Sequence, residues 1–268
     1  MIFPFHDNNP TRRWPILTVL LILVNVLIYV WVYNQPEDEQ IKVFAHYGFV
    51  PKRIQQLQDP NVKVEVVTEP GAEVPPGAAK APAKNVIPLA ADQPEILVSL
   101  ITCMFLHGSW IHLIGNVWFL WVFGNNIEDR LGHIIFILFY LMVGLLATAC
   151  HWAVDQGSEI PVVGASGAIA GVLGAYAVTF PTARVKCLLF LVFFITILDL
   201  PALLVLLAWF AMQLLMAAQN LGAAAGVALW AHIGGFLAGL IIMPLLAAGA
   251  PEPGTHWEDE AEREFQSL

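Results

Sequence analysis

The sequence predicts an all-α membrane protein with several membrane-spanning helices, and three observations carry this prediction. Of the 268 residues, 58% are hydrophobic and only 12% are charged, and that charged share is about half of what a soluble domain has. The apolar residues form long uninterrupted runs, whereas the strands of a transmembrane β-barrel alternate polar and apolar residues. A soluble globule could not bury so much apolar side chain, so the composition disfavours soluble, disordered and fibrous proteins.

Charge and cysteine content narrow the function classes further. The formal net charge is −9, whereas nucleic-acid-binding proteins carry basic clusters, so we expect no nucleic-acid partner. The cysteines Cys103, Cys150 and Cys187 lie in or beside apolar runs without a CxxC pair. They are predicted to be buried small hydrophobic residues. The sequence leaves open whether two of them form a disulfide bond.

The first predicted span follows a polar N-terminal segment, residues 1–13. Residues 14–33 are apolar over twenty positions, enough to cross a bilayer. A signal peptide would have a shorter core and a small-residue cleavage site, so we predict a retained helix. The charged stretch 34–95 contains a region rich in Pro, Ala and Gly and is predicted to be a flexible extracytoplasmic loop, with a short amphipathic helix within 41–58.

A second group of apolar runs predicts the core of the protein, residues 96–248. The run 96–106 is too short to span a bilayer and is predicted to be interfacial. Five further spans are predicted at 110–126, 133–153, 164–180, 201–219 and 230–248.

The positive charges outside the long loop fix the predicted topology. They are Arg12, Arg13, Arg130, Arg184, Lys186 and Arg263. Short loops that carry Lys or Arg stay in the cytoplasm, and six spans place all of these residues on one side. This predicts two cytoplasmic termini, with residues 249–268 forming an acidic cytoplasmic tail.

The run 185–198 could be counted as a seventh span. As a helix, its fourteen residues would reach only about 21 Å, short of the roughly 30 Å hydrocarbon core. We therefore predict that it dips into the cytoplasmic leaflet or lies on it.

Two polar residues inside the predicted spans are candidates for chemistry, because polar side chains are costly in a membrane. Ser166 lies in VVGASGAIAGVLGAY and His232 in LWAHIGGFLAGL. The alternatives are a serine that caps a tightly packed helix and an interfacial histidine. With six spans, both helices run from outside to inside, so both residues lie near the outer leaflet at similar depth, and two helices with glycine faces could bring them within hydrogen-bond reach. If 185–198 were a seventh span, the last helix would run in the opposite direction, and His232 would lie near the cytoplasmic side, far from Ser166.

Two further residues could assist that pair. His112 and Asn116 are spaced i,i+4 and share a helix face. Both can donate hydrogen bonds and could hold the oxyanion of a tetrahedral intermediate. His107 lies off that face and is predicted to be structural. A metal site of His107, His112 and His232 is not favoured, because the H-x4-H spacing separates the rings and no carboxylate accompanies them.

Taken together, these residues resemble the rhomboid family of intramembrane serine proteases, and the set looks like its bacterial branch. The resemblance covers about 96–248, and 14–33 more loosely. The matching motifs are His107-x4-His112-x3-Asn116, Glu128-x-Arg130, Gly164-x-Ser166-Gly167 and Ala231-His232, the last followed by the small residues Gly235 and Gly239.

The resemblance implies a six-transmembrane-helix rhomboid-like bundle, both termini cytoplasmic, in a bacterial inner membrane. It implies a Ser166–His232 dyad without an aspartate, in which His232 is the general base. His112, Asn116 and the Ser166 backbone N–H would form the oxyanion hole. The implied substrates are single-pass membrane proteins cut in or beside a transmembrane segment, and no cofactor or metal is implied.

The sequence departs from the family at two places. Some members carry an aromatic residue four positions after the nucleophile, stacked on the histidine, and here that position is Ala170, which leaves open what orients His232. The Pro/Ala-rich segment 59–94 is predicted to be an insertion on the outer side. The alternatives are an inactive rhomboid-like protein that binds transmembrane helices, and a transporter, for which paired intramembrane charges or an inverted repeat would be expected.

Overall fold

The computed structural model describes residues 2–68, 85–191, 194–218 and 228–248, and it is mainly helical. Its α-helices are α1 (Ile16–Tyr33), α2 (Glu37–Tyr47), α3 (Gln93–Thr102), α4 (Trp110–Phe119), α5 (Asn125–Leu131), α6 (His133–Val154), α7 (Ser166–Thr179), α8 (Ala202–Ala218) and α9 (Leu229–Leu246). Two 3₁₀ turns, Pro51–Leu57 and Cys103–Phe105, and a π-helical segment, Leu120–Gly124, complete the helical elements. The π-helical segment joins α4 to α5.

The apolar helices make this an integral membrane protein. Within the described residues, α1, α6 and α9 are long and apolar enough to cross a bilayer. The segments Gln93–Phe105 and Trp110–Leu131 form a bent pair with an angle of 78° between them, which would add a fourth span if counted as one. Helices α7 and α8 are apolar but shorter. Each of the six predicted spans therefore contains a helix, while the count of six spans stays a prediction.

The outside of the bundle is apolar, as a lipid environment requires. Leu27, Ile134, Leu138, Ile241 and Leu245 are all large hydrophobic side chains that are more than half exposed. A bilayer would cover these side chains, which water would not tolerate in such numbers.

The prediction of an all-α fold is wrong at two places. Strands β1 (Ile2–Asp7), β4 (Arg184–Leu191) and β5 (Phe194–Pro201) form an antiparallel sheet in the order β1-β4-β5. The run 185–198 is therefore a hairpin rather than a span. The residues that begin β4 alternate, because Val185 and Cys187 are buried while Arg184 and Lys186 are exposed, which is the period of a strand.

The second departure concerns the predicted flexible loop 34–95. Helix α2, the turn Pro51–Leu57 and the hairpin of β2 (Val64–Thr68) and β3 (Asn85–Leu89) form a small folded unit. The expected helix within 41–58 is thus two elements, α2 and the turn. Buried apolar side chains hold the unit together: Ala45, Val50, Val64, Val66 and Leu89. Residues 69–84 of the Pro/Ala-rich insertion, like the acidic tail 249–268, lie outside the described residues.

A buried arginine stabilises this unit. Arg53 is only 1% exposed, and its guanidinium Nη1 lies 2.6 Å from the Glu95 carboxylate. The Nδ1 atom of His46 contacts the same carboxylate oxygen at 2.8 Å. Because a buried charge is costly without a partner, this ion pair fixes the unit against the start of α3.

The folded unit is tied to the segment that leads into α7. Phe49 and Val162 exchange two backbone hydrogen bonds, of 3.0 and 2.8 Å. The backbone N–H of Lys52 donates to the carbonyl of Ser158, and that of Gly164 donates to the carbonyl of Cys103. The path of residues 155–165 is therefore set by three earlier parts of the chain.

Glu128 of the E-x-R motif stabilises the start of α1. Its carboxylate accepts hydrogen bonds from the backbone N–H groups of Leu17 and Thr18 and from the Thr18 hydroxyl, at 2.7 to 2.9 Å. The first N–H groups of a helix have no partner within it, and a carboxylate there also favours the helix dipole. Glu128 is fully buried and also contacts His133, and Arg130 is half-buried on the same helix.

The sheet is attached to the bundle through a buried carboxylate, Asp7. One of its oxygens accepts hydrogen bonds from the Asn126 amide at 2.6 Å and from the Tyr176 hydroxyl at 2.9 Å. Asn9 also donates to that hydroxyl, at 2.8 Å. Strand β1 is thereby bound to α5 and to the end of α7 that lies away from Ser166.

The cysteines behave as small packed side chains. Cys103 and Cys187 are buried and Cys150 is partly buried. All three are free thiols, so the disulfide that the sequence left open is not formed.

Asp7 should make stability depend on pH. Burial raises the pKa of Asp7 from 3.8 to about 6, although the hydrogen bonds from Tyr176 and Asn126 oppose the shift. The pKa of Asp7 is higher in the folded than in the unfolded protein, so protonated Asp7 adds to the free energy of unfolding. This contribution to stability is complete below about pH 4 and is lost as the pH rises through 6. Between about pH 4 and pH 7, the unfolding free energy of wild type should fall by up to about 3 kcal/mol relative to Asp7→Asn.

Thermal unfolding in detergent micelles at several pH values would measure this difference. Asp199→Asn is the matched control, because Asp199 is about half exposed and pairs with Arg184 at the surface of the same sheet. A parallel pH dependence in wild type and Asp7→Asn would contradict the expectation.

Candidate active site

Helices α7 and α9 approach so closely that their backbones touch. A Cβ atom at Gly235 would overlap the carbonyl oxygen of Gly167, and one at Gly239 would overlap that of Gly171. The glycine residues of the two helices therefore face each other. Larger residues at Gly235 or Gly239 would force the two helices apart.

These glycine pairs also fix the relative direction of the helices. A step of four residues along α7, from Gly167 to Gly171, matches a step of four along α9, from Gly235 to Gly239. The two helices are therefore parallel and in register. Ser166 is the first residue of α7 and His232 is the fourth of α9, so both lie at the same end of the pair.

The register brings the two predicted residues together. The Ser166 hydroxyl oxygen lies 2.7 Å from Nε2 of His232, which is a short hydrogen bond. The His232 side chain is buried, at 9% exposure. A serine beside an imidazole nitrogen is the arrangement in which the ring can remove the hydroxyl proton.

The other ring nitrogen of His232 contacts a residue that the sequence analysis missed. Its Nδ1 lies 2.9 Å from Oε1 of Gln213 on α8, and Gln213 is buried. The ring of Trp209, one helical turn earlier, lies 6.0 Å from the His232 ring between centroids. Gln213 is a polar residue in an apolar run, the same signal that singled out Ser166, so it could have been found.

Gly164 brings His112 towards Ser166. Its φ angle is +123°, a conformation that residues with a Cβ rarely adopt. A Cβ there would lie 2.6 Å from Nε2 of His112 and 3.5 Å from the Ser166 hydroxyl. The absence of a side chain at Gly164 therefore makes room for His112 beside the serine.

Asn116 lies one turn beyond His112 on α4. The helix begins after Ser109, whose hydroxyl accepts a hydrogen bond from the His112 backbone N–H at 3.2 Å. The Asn116 side chain is 7% exposed. Its Nδ2 has no hydrogen-bond partner within the described residues. A buried amide donor without a partner is costly unless something else accepts its hydrogen bonds.

His107 packs against His112, and no hydrogen bond joins its ring to Ser166 within the described residues. It is 1% exposed, and its ring meets that of His112 edge to face, with centroids 5.1 Å apart. The structural role expected of His107 stays a prediction. In the part of the chain that the structure describes, no group of three or more His, Cys, Asp or Glu side chains could hold a metal ion.

Comparison with known proteins identifies the chain's relatives. Residues 94–249 match the Rhomboid domain. The chain is 38% identical over 71 residues to rhomboid-like protein 11, chloroplastic, of Arabidopsis thaliana, which covers 26% of this chain and 25% of the relative. It is 37% identical over 76 residues to RHOMBOID-like protein 5 of the same plant, covering 28% and 25%.

A mammalian protein gives a similar match. The chain is 34% identical over 87 residues to the presenilin-associated rhomboid-like protein, mitochondrial, of Bos taurus, covering 32% of this chain and 23% of the relative. The chain thus matches about a quarter of the length of these relatives. They come from a plant and a mammal, so the bacterial type gains no support from them and stays a prediction.

The role of Gly164 can be tested with a pair of glycine variants. Gly164→Ala places a Cβ against the His112 ring in a disfavoured backbone conformation, so the unfolding free energy should fall by about 1–3 kcal/mol. Gly157→Ala is the matched control, because a Cβ there meets nothing within 4 Å. Thermal unfolding in micelles measures both variants, and equal stability would contradict the close packing of His112.

Proposed function

The chain belongs to the rhomboid family, and we propose that it is an intramembrane serine endopeptidase. Its substrates are single-pass membrane proteins, and it hydrolyses peptide bonds in or next to their transmembrane segments. The observation that carries this proposal is the 2.7 Å contact between the Ser166 hydroxyl and Nε2 of His232.

The first half of the reaction forms an acyl-enzyme. The Ser166 oxygen attacks the carbonyl carbon of the scissile bond, and its proton moves to Nε2 of His232. The resulting tetrahedral intermediate collapses when the carbon–nitrogen bond breaks. His232 returns the proton to the leaving amine, and the acyl group stays esterified to Ser166.

The second half consumes a water molecule. His232 removes a proton from the water, which attacks the ester carbonyl to form a second tetrahedral intermediate. Collapse of this intermediate breaks the bond to Ser166, which regains its proton from His232. The products are a free carboxyl end and a free amino end, and no cofactor or metal is required.

The negative oxygen of each intermediate needs hydrogen-bond donors. The Ser166 backbone N–H is suited to this, because the first N–H groups of a helix have no intrahelical partner. Nε2 of His112 and the Ser166 hydroxyl lie 2.6 and 3.5 Å from the same point, the Cβ position of Gly164. The buried Asn116 amide supplies a donor without a partner in the described structure, and such fixed donors stabilise an oxyanion strongly.

The membrane arrangement is part of the proposal. Six spans with both termini in the cytoplasm place the start of α7 and α9 near the outer leaflet, where water can reach Ser166. This arrangement follows from the positive charges in the short loops, and the parallel direction of α7 and α9 supports it. Placement in a bacterial inner membrane rests on the sequence pattern alone.

The inactive alternative would bind transmembrane helices without cutting them. It predicts that the serine or the histidine is lost or displaced. Both residues are present and in hydrogen-bond contact, so this observation favours the enzyme.

Activity should depend on Ser166 and His232. Purified wild type in liposomes, mixed with a reporter that carries one transmembrane helix with small and helix-breaking residues near its outer end, should release two fragments. Ser166→Ala should release none, and Ser158→Ala, a change in the nearby loop, should cut at the wild-type rate. Mass spectrometry of the fragments locates the cut bond, and equal cleavage by Ser166→Ala would eliminate Ser166 as nucleophile.

The same reporter tests the general base. Wild-type activity should rise with pH as His232 loses its proton, and a folded His232→Gln variant should lack both the activity and this rise. A fluorophosphonate probe, which labels an activated serine, separates an inactive protein from an unsuitable reporter. Failure of wild type to react with reporter and probe would favour the binding-only alternative.

Asn116 should act on the chemical step. Asn116→Asp has nearly the same shape but replaces the amide donor with an acceptor. We expect kcat to fall by about 10²–10³-fold with little change in KM. Asn125→Asp is the control, since Asn125 uses its side-chain oxygen to accept from Asn126 and an aspartate retains that oxygen. An unchanged kcat in Asn116→Asp would remove Asn116 from the oxyanion site.

A further inference from the structure

We propose that Gln213 is the positioning residue of His232, because its side-chain oxygen holds the ring proton on Nδ1 and leaves Nε2 free to accept the proton of Ser166. This inference rests on the proposed function and deepens it. It also answers what orients the histidine when position 170 is an alanine.

The argument begins with the two contacts of the ring. Nε2 lies 2.7 Å from the Ser166 hydroxyl, and Nδ1 lies 2.9 Å from Oε1 of Gln213. A neutral imidazole has one N–H donor and one acceptor nitrogen, and an amide oxygen can only accept. The proton must therefore sit on Nδ1 to satisfy Gln213. The hydroxyl, which can rotate, then donates to Nε2, as a general base requires.

Among the residues that the structure describes, Gln213 is the group that hydrogen-bonds the ring at Nδ1, on the side away from the serine. Ala170, four residues after Ser166, is fully buried and offers only a methyl group. Within the described residues, the hydrogen bonds of the His232 ring go to Gln213 and Ser166, and neither partner is a carboxylate. Gln213 is therefore the hydrogen-bonding group opposite the serine.

Helix α8 holds the ring with two side chains on one face. Trp209 and Gln213 are spaced i,i+4 and so lie above one another. The Trp209 ring is tilted by 37° to the His232 ring, at a centroid distance of 6.0 Å. The hydrogen bond fixes rotation of the imidazole about its side-chain bond, and the indole restricts its tilt.

The burial of Gln213 also indicates a specific role. Its neighbours Met212 and Leu214 are 50% and 44% exposed on the outside of the bundle, whereas Gln213 is 6% exposed. A buried amide in an apolar helix is costly unless it is hydrogen-bonded. The residue thus points inward, at the position where its oxygen meets His232.

The first test compares two substitutions at this position. Gln213→Met keeps the length but removes the acceptor, so kcat should fall by at least about tenfold, within the roughly 10²–10⁴-fold that general-base catalysis supplies, with KM little changed. Labelling by the fluorophosphonate probe should slow equally, because it needs no transmembrane substrate. Leu214→Met, on the lipid-facing side of the same helix, should leave both rates unchanged.

Gln213→Glu separates positioning from packing. A carboxylate retains the acceptor, so it should restore most of the rate that Gln213→Met loses. Because a negative charge beside the ring favours the imidazolium, the acid limb of the pH–kcat profile should move to higher pH. Recovery of the rate in Gln213→Glu but not in Gln213→Met is the result that a merely structural residue would not produce.

The tautomer itself can be read from ¹⁵N NMR of histidine-labelled protein in micelles, with the His232 signals assigned by their loss in His232→Gln. Wild type should show the proton on Nδ1, and Gln213→Met should lose this preference. An unchanged tautomer in Gln213→Met, or an unchanged rate, would overturn the inference. If wild type itself is inactive, the proposed function fails, while the NMR result still decides whether Gln213 sets the tautomer.

Discussion

The direct backbone contact between α7 and α9 is the constraint on which the candidate site depends. Between two membrane helices there is no hydrophobic driving force, so close van der Waals packing must hold them together. The glycine pairs Gly167–Gly235 and Gly171–Gly239 allow that packing, and they set the register as well as the distance. Ser166 and His232 meet because the register places them at one level, so the contact positions these two side chains as well as stabilising the bundle.

The rest of the chain holds this helix pair at both ends. At the Ser166 end, the folded unit between α1 and α3 pairs Phe49 with Val162 and so directs the chain into Gly164. At the other end, Asp7 binds Tyr176 of α7 and anchors the sheet. Helix α8 then completes the site from the side with Trp209 and Gln213.

The sequence predicted the helices well because each is a long apolar run, as the span 133–153 and the helix His133–Val154 illustrate. It failed where structure depends on distant partners. The alternation at the start of β4 covers only a few residues before the run becomes uniformly apolar. The partner strand β1 is far from β4 in the sequence. Topology and chemistry together predict that Ser166 and His232 meet, whereas Gln213 was missed because its partner His232 lies on a different helix.

The pairing of β1 with β4 has a consequence for the order in which the protein assembles. Ile2 is paired with Leu189, so β1 leaves the ribosome long before its partner strand exists. Pairing of strands so far apart in the sequence has a large entropic cost of loop closure, so it forms slowly. Until β1 is paired, Asp7 is not held beside Tyr176, and the end of α7 away from Ser166 is unanchored. Strand β1 therefore joins the sheet only after helices α1 to α7 have been synthesised.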